Sequence, residues 1–163
     1  KVPFDFDFFE DFENKSGFEF EGVMVSNGPG DPKLCTKTIS LIQQALKKEI
    51  PTFGICLGHQ LLSLAIGADT FKLKYGHRSQ NQPCAIVDSK KCFITSQNHG
   101  FAVDKKTIPQ NFGEWFYNLN DGTNEGLRHK SKPFISVQFH PEAMPGPVDT
   151  AFLFDDFLRE IKK

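Results

Sequence analysis

One short stretch limits the fold of this chain more than any other: GICLG at residues 54–58, where a cysteine stands between two glycines. It overlaps an apolar run at 52–55, and residues 57–66 then place leucines at helical spacing before Gly67. A turn this tight between a strand and a helix lifts its central residue, Cys56, out of the end of the sheet. Flanking glycines remove the Cβ atoms that would clash there. The stretch therefore predicts a strand–turn–helix unit with Cys56 at the turn.

Cys56 has two interpretations. At a helix N-terminus the helix dipole favours a thiolate over a thiol, and a nucleophile needs an exposed, rigidly aimed thiolate. The alternative is a buried cysteine that packs as a small hydrophobe. The two flanking glycines favour the nucleophile.

A base for such a nucleophile is found at HPE, residues 140–142, directly after an apolar run at 134–139. In an extended backbone, side chains two residues apart point the same way, so Glu142 can hold the imidazole of His140 in one tautomer. Alone, this pattern is weak, because a histidine at a strand end commonly just satisfies a hydrogen bond. Together with Cys56, it predicts a catalytic triad.

An acyl-transfer site also needs hydrogen-bond donors aimed at a developing oxyanion. The main-chain N–H of Leu57 is one candidate, and the loop at 27–30 can bring that of Gly28 close. Taken alone, this loop is typical of ordinary turn chemistry. It matches neither common phosphate-binding pattern.

Apolar strands and amphipathic helices alternate along the chain, with a C-terminal helix that Asp149 can cap. This alternation predicts an α/β fold with a mainly parallel open sheet and helices on both faces. The elements expected are strands at 22–25, 52–55, 70–73, 84–87, 92–95 and 134–139, and helices at 36–48 and 57–66.

Composition excludes several classes of function. With 163 residues the chain fits one domain, and 19 Lys+Arg against 20 Asp+Glu argue against nucleic-acid or membrane partners. No apolar run reaches the roughly 18–20 residues of a bilayer span. The N-terminus does not match a signal peptide. The cysteines lack zinc-site or disulfide-framework spacing, so we expect no metal and a cytoplasmic location; they are Cys35, Cys56, Cys84 and Cys92.

The opening of the chain differs from the rest. Residues 4–21 contain seven Phe and seven acidic residues. We interpret 1–21 as an acidic, Phe-rich lead-in that begins with the end of a strand, and 22–163 as the main domain. The aromatic rings are expected to pack on that domain, and the alternative is that they bind a partner.

Taken together, the motifs resemble the class I (triad) glutamine amidotransferases. The three signatures are SNGPGDP at 26–32, FGICLGHQLL at 53–62 and QFHPE at 138–142. Further stretches look like the small, or amidotransferase, portion of carbamoyl-phosphate synthetase, and the resemblance extends from about residue 22 to 161. These stretches are GHRSQNQP at 76–83, TSQNHGFAVD at 95–104, NDGTNEG at 120–126 and GPVDTAFLFD at 146–155.

The resemblance implies a flavodoxin-like sheet that lacks its first strand and helix in this chain. It also implies hydrolysis of glutamine to glutamate and ammonia through a thioester on Cys56, with His140 as general base and Glu142 orienting it. Gly28 and Leu57 would supply the oxyanion N–H groups. The implied glutamine-binding residues are Gly28, Gly30, Leu57, Gln60, Asn98, Gly100 and Phe101.

The implied partner is a carbamoyl-phosphate synthetase large subunit or fused synthetase domain, which would use the ammonia for pyrimidine or arginine synthesis. ATP and magnesium would bind only that partner, and this chain would need no cofactor. One alternative is a non-catalytic docking or regulatory fragment of the same complex. Another is an amidotransferase of a different pathway, such as anthranilate or guanylate synthesis, against which the stretches at 76–83 and 120–126 argue.

A small basic cluster lies outside the signatures. It is expected on a solvated face, and a contact with an acidic patch of the synthetase is the alternative. It consists of Lys72, Lys74, His77 and Arg78.

Overall fold

The computed structural model describes residues 20–144 and 146–162, in which seven strands form one sheet in the order β1-β2-β7-β6-β5-β3-β4. The strands are β1 (Val23–Val25), β2 (Thr52–Ile55), β3 (Asp69–Ile86), β4 (Cys92–Asp104), β5 (Phe112–Asn118), β6 (Asn124–His129) and β7 (Phe134–Val137). The α-helices are α1 (Thr36–Lys47), α2 (Leu57–Ala65) and α3 (Phe152–Ile161). Short 3-10 helices lie at Pro32–Leu34 and Lys105–Thr107.

β1, β2 and β7 form the parallel part of the sheet. Val25 pairs with Gly54, and Ile55 pairs with Val137. Every residue of β2 and β7 is buried, which is usual for parallel strands covered on both faces. Because parallel strands end at the same edge of a sheet, the segments that follow all three strands meet there.

Hydrophobic side chains pack on both faces of the sheet. On one face, Phe53 of β2 packs with Leu153 and Phe157 of α3. On the other, Phe134 of β7 packs with a group that includes Ile42 of α1 and Leu61 of α2. The α/β class and the helices on both faces are confirmed.

The remaining strands are antiparallel, which makes the sheet mixed. The short strands expected at 70–73, 84–87 and 92–95 are parts of two long strands, β3 and β4, whose pairing is interrupted by irregularities. The sequence pattern does not predict β5 and β6, because their apolar positions are interrupted by polar residues and glycine. The expected cap of α3 is also wrong, since Ala151 and not Asp149 precedes the helix and makes no side-chain cap.

Two predictions about the start of the chain fall mainly outside the described residues. The structure describes nothing before residue 20. The lead-in at 1–21 and the missing first strand and helix therefore stay predictions. None of the described helices is long and apolar enough to cross a bilayer.

Candidate active site

Cys56 occupies a strained turn between β2 and α2. Its φ of 53° and ψ of −103° lie in a region that side-chain-bearing residues rarely adopt, at a cost of about 1–3 kcal/mol. The turn is held on both sides: the Cys56 N–H donates to Val137 O at 2.9 Å, and the Gln60 N–H donates to Cys56 O at 3.2 Å. The sharp turn predicted from the sequence is confirmed.

The two glycines that flank Cys56 are required for space. A Cβ on Gly54 would lie 2.5 Å from Gly58 O, and a Cβ on Gly58 would overlap Val25 O. Neither glycine has a positive φ. They therefore allow β1, β2 and the first turn of α2 to approach closely, while Cys56 itself carries the unusual backbone conformation.

His140 and Glu142 follow β7 at the same edge of the sheet. His140 Nδ1 lies 2.8 Å from Glu142 Oε1, and the His140 N–H donates to Ser96 O of β4 at 2.9 Å. Burial raises the pKa of Glu142, but the hydrogen bond and charge of His140, together with a main-chain hydrogen bond, outweigh this effect, so the net pKa is lowered. The carboxylate is thus ionised at neutral pH and holds the ring.

The second ring nitrogen of His140 is left for Cys56. Nε2 is buried and has no hydrogen-bond partner of ordinary geometry among the described residues. The Cys56 sulfur, followed by Glu142, raises the pKa of His140 to about 10. The sulfur is therefore close enough to affect the pKa of the ring, although the two do not form a hydrogen bond of ordinary geometry. Hydrogen bonds of this kind in active sites are often long until substrate binds.

Two buried glutamines connect this site to β4. Gln60 of α2 donates from Nε2 to Phe101 O and to Gln138 Oε1, both at 3.0 Å. Gln138 in turn donates from Nε2 to Cys56 Sγ at 3.7 Å. Gln138 is not among the residues predicted for the site, although its position two residues before His140 predicts that both side chains point the same way.

The two residues predicted to supply the oxyanion donors, Gly28 and Leu57, pack against each other. A Cβ on Gly28 would lie 2.8 Å from Leu57 Cδ2, so the loop after β1 packs against the first residue of α2. As a first helical residue, Leu57 has no acceptor for its N–H within the helix. Gly30, with a φ of 101°, lies in the same exposed loop.

The other predicted glutamine-binding residues lie on β4. Asn98, Gly100 and Phe101 face an irregular part of β3, where Asn98 pairs with Arg78. The irregularity is possible because Gly76 has a φ of 71°, and a Cβ there would lie 2.5 Å from the main-chain oxygen of residue 99. The hydrogen bond from Gln60 to Phe101 brings this strand to the turn that carries Cys56.

A buried polar cluster is formed by His77, His99 and Glu125. Their possible metal-ligand atoms lie close enough together to hold a metal ion. However, Gln97 Oε1 lies 3.0 Å from both His77 Nδ1 and His99 Nε2, so an amide oxygen fills the space between the rings. His77 Nε2 also lies 2.8 Å from Asp121 Oδ2. Hydrogen bonds and ion pairs therefore account for this cluster.

The charges of the two histidines differ. Glu125, with Asp121 contributing less, raises the pKa of His77 to about 9, whereas burial lowers the pKa of His99 to about 4. His77 is thus a cation at neutral pH and lies 3.4 Å from Glu125 Oε1. The expected solvated basic face is wrong for His77, whose side chain is only 11% exposed.

A strained cysteine at a strand-to-helix turn, with a histidine–carboxylate pair on the adjoining strand, defines a thiol-dependent acyl-transfer site. The family model described as "Glutamine amidotransferase class-I" matches residues 1–160. The chain belongs to the class I glutamine amidotransferase family.

Its relatives include much longer proteins. The chain is 51% identical over 162 residues to the multifunctional protein pyrABCN of Emericella nidulans, covering 99% of this chain and 7% of that protein. It is 51% identical over 150 residues to the carbamoyl phosphate synthase arginine-specific small chain of Chaetomium globosum, covering 91% and 32%. With the multifunctional protein CAD of Squalus acanthias it shares 54% identity over 149 residues, covering 88% and 7%. The chain thus spans a third or less of these relatives.

Solved structures share its fold. A candidate GMP synthase component from Thermoplasma acidophilum superposes with a TM-score of 0.77 at 19% identity, covering 93% of this chain and 78% of that one. A glutamine amidotransferase from Thermotoga maritima gives a TM-score of 0.63 at 22% identity, covering 94% and 78%.

Proposed function

We propose that this chain hydrolyses glutamine to glutamate and ammonia through a thioester on Cys56. The observation that carries the proposal is the placement of a strained cysteine beside the His140–Glu142 pair, with the pKa of His140 raised by that same cysteine. Membership of the class I amidotransferase family supports the same chemistry.

In the first half-reaction the Cys56 sulfur attacks the side-chain amide carbon of glutamine. His140 Nε2 holds the proton taken from the thiol and donates it to the departing nitrogen, so the C–N bond breaks and ammonia leaves. In the second half-reaction His140 accepts a proton from water, which attacks the thioester. The C–S bond then breaks, glutamate leaves and the thiol is restored.

The negative charge that develops on the substrate oxygen would be stabilised by the N–H groups of Leu57 and Gly28. Gly30, Asn98, Gly100 and Phe101 would hold the remainder of glutamine. Both N–H groups of Gln60 already donate within the protein. Its oxygen is left as an acceptor, which suits the ammonium group of the substrate.

We further propose that the ammonia passes to a carbamoyl-phosphate synthetase, either a separate large subunit or a fused domain, for pyrimidine or arginine synthesis. The names of relatives at 51% identity support this assignment. On this proposal the chain itself needs no cofactor, because ATP and magnesium bind only the partner. The proposed location is the cytoplasm.

The test is mass spectrometry after treatment with an electrophilic glutamine analogue such as a diazoketone. We expect one adduct on Cys56, with glutamine protecting it, and none on Cys92, whose exposed thiol serves as an internal control for unselective reaction. A folded protein that forms no adduct would instead favour a docking or regulatory role.

A further inference from the structure

Contacts at hydrogen-bonding distance connect Cys56 with the acidic turn between β5 and β6. From the sulfur they pass through the two buried glutamines to the carbonyl of Phe101, then through one histidine ring to Gln97 and a second ring. The contacts are Cys56 Sγ–Gln138 Nε2 3.7 Å, Gln138 Oε1–Gln60 Nε2 3.0 Å, Gln60 Nε2–Phe101 O 3.0 Å, Phe101 O–His99 Nδ1 2.7 Å, His99 Nε2–Gln97 Oε1 3.0 Å, Gln97 Oε1–His77 Nδ1 3.0 Å and His77 Nε2–Asp121 Oδ2 2.8 Å.

Gln138 is fixed at the catalytic end of this series. Its side chain is fully buried, with its amide nitrogen on Cys56 and its amide oxygen on Gln60. Its main-chain N–H donates to Glu125 O at 2.9 Å. The residue therefore has one orientation, in which an N–H points at the sulfur.

The far end of the series is anchored by charge. His77, a cation at neutral pH, lies between the carboxylates of Asp121 and Glu125. Glu125 is fully buried, which raises the pKa of its carboxyl, and the hydrogen bond and charge of His77 oppose that rise. The stretches at 76–83 and 120–126, which set this chain apart from other amidotransferases in the sequence analysis, thus meet in space.

We propose that Gln138 is a positioning residue for the nucleophile: its amide N–H stabilises the thiolate of Cys56, and its amide oxygen holds Gln60 in the glutamine-binding orientation. The proposal rests on the proposed glutaminase function. An N–H donor stabilises an anionic acceptor more than a neutral one, so its loss disfavours the thiolate. Loss of the acceptor releases Gln60 from one of its two hydrogen bonds.

The test compares Gln138→Met with the natural sequence in the full-length natural protein. Methionine keeps the length of the side chain but can neither donate to the sulfur nor accept strongly from Gln60. The rate of Cys56 alkylation by iodoacetamide is followed from pH 5 to 10 by mass spectrometry. We expect alkylation at pH 7 to slow by about 3–10-fold, the range for one modest hydrogen bond, with the profile displaced to higher pH. The KM for glutamine should rise.

The control is Ser136→Ala. Ser136 lies on β7, is fully buried and is hydrogen-bonded to His59 at 2.9 Å, but it is outside the series of contacts. We expect this variant to lower the melting temperature and leave the alkylation profile unchanged. The other titratable groups that act on Cys56, His140 and through it Glu142, are retained in both variants.

The outcomes are distinct. An unchanged alkylation profile and KM in Gln138→Met, or an equal displacement in Ser136→Ala, overturns the proposal. If Gln138→Met does not fold, Gln138→Leu decides, because leucine can neither donate nor accept a hydrogen bond and adds no charge beside the sulfur: slowed alkylation supports the proposal, and an unchanged rate rejects it. Absence of glutamine turnover in the natural protein would instead count against the proposed function, while the alkylation profiles still test Gln138.

Discussion

The two halves of the sheet hold their functional residues by different means. In the parallel half, β1, β2 and β7 are short and closely packed, and the position of Cys56 follows from backbone strain and two glycines. In the antiparallel half, β3 to β6 carry buried polar side chains, and the strand with Asn98 and Phe101 is supported by hydrogen bonds and an ion pair. The position of Cys56 therefore depends on sterics, whereas β4, which carries the proposed glutamine-binding residues, depends on buried charge.

This difference has consequences for pH. In the parallel half, the buried His59 of α2 is bonded to Ser136 of β7, and burial lowers its pKa to about 3, so it is uncharged at neutral pH. The antiparallel half depends on one protonated histidine between two carboxylates. Substitutions in the parallel half should therefore lower the reaction rate or the stability of packing. The loss of stability caused by substitutions in the antiparallel half should depend on pH.

The largest expected effect comes from Cys56→Ser, which removes the nucleophile. Glutamine-dependent turnover should fall by roughly 10⁴–10⁶-fold, the scale for loss of a catalytic nucleophile. Synthesis from added ammonia should persist, because it bypasses this site. Both rates are measured in the full-length natural protein together with the proposed synthetase partner. Equal loss of both rates would show that Cys56 is structural.

His140→Asn should slow formation of the thioester by about 10²–10⁴-fold, the range for removal of a general base. Rapid-quench measurement of the first turnover isolates this step. His129→Asn serves as the control, because the ring of His129 accepts from the main-chain N–H groups at 131 and 132 and is bonded to neither Cys56 nor Glu142. A first-turnover rate like that of the natural protein would refute the role of His140.

His77→Gln should destabilise the fold by about 3–5 kcal/mol, since it leaves Glu125 buried without its partner. The pKa of His77 is raised to about 9 from an ordinary value near 6.5. Its stabilisation is therefore complete below pH 6.5 and is lost as the pH rises through 9. Denaturant unfolding at pH 6.5 and 9.5 should show this loss in the natural protein.

In the variant the part of this loss that comes from deprotonation of His77 should be absent, while the buried Glu125, whose pKa burial raises, still titrates. The double variant with Glu125→Gln should recover part of the stability, because no buried charge is left unpaired. Asp121 and His99 also face His77 and are kept in both variants. A natural protein with equal stability at both pH values would contradict the ion pair.

The smallest expected effect is that of Gly58→Ala, which forces a Cβ into Val25 O. Overpacking of this kind costs about 1–3 kcal/mol. Gly113→Ala on β5 is the matched control, since no atom lies within 4 Å of its added Cβ, and it should leave the stability unchanged or slightly higher. Thermal unfolding of both variants tests the comparison, and equal melting temperatures would reject the steric account of the turn.

The sequence predicted the turn at Cys56 and the pairing of His140 with Glu142, because the determinants of both are local. Cys56 with its glycines, and His140 with Glu142, each lie within five consecutive residues. The same reasoning failed for His77, which was assigned to a solvated basic face. Its partners Asp121 and Glu125 lie more than 40 residues away, and no local pattern shows that they pair. Gln138 was missed because its side-chain contacts, Cys56 and Gln60, lie 82 and 78 residues earlier in the chain.

By itself, then, the sequence determined the strained turn, the histidine–carboxylate pair and the α/β class, since each arises from spacing within one strand or helix. Only the tertiary structure decided which polar residues of the antiparallel strands are buried and which of them meet. The physical reason is that a polar side chain tolerates burial only when a partner is present, and here those partners come from distant parts of the chain.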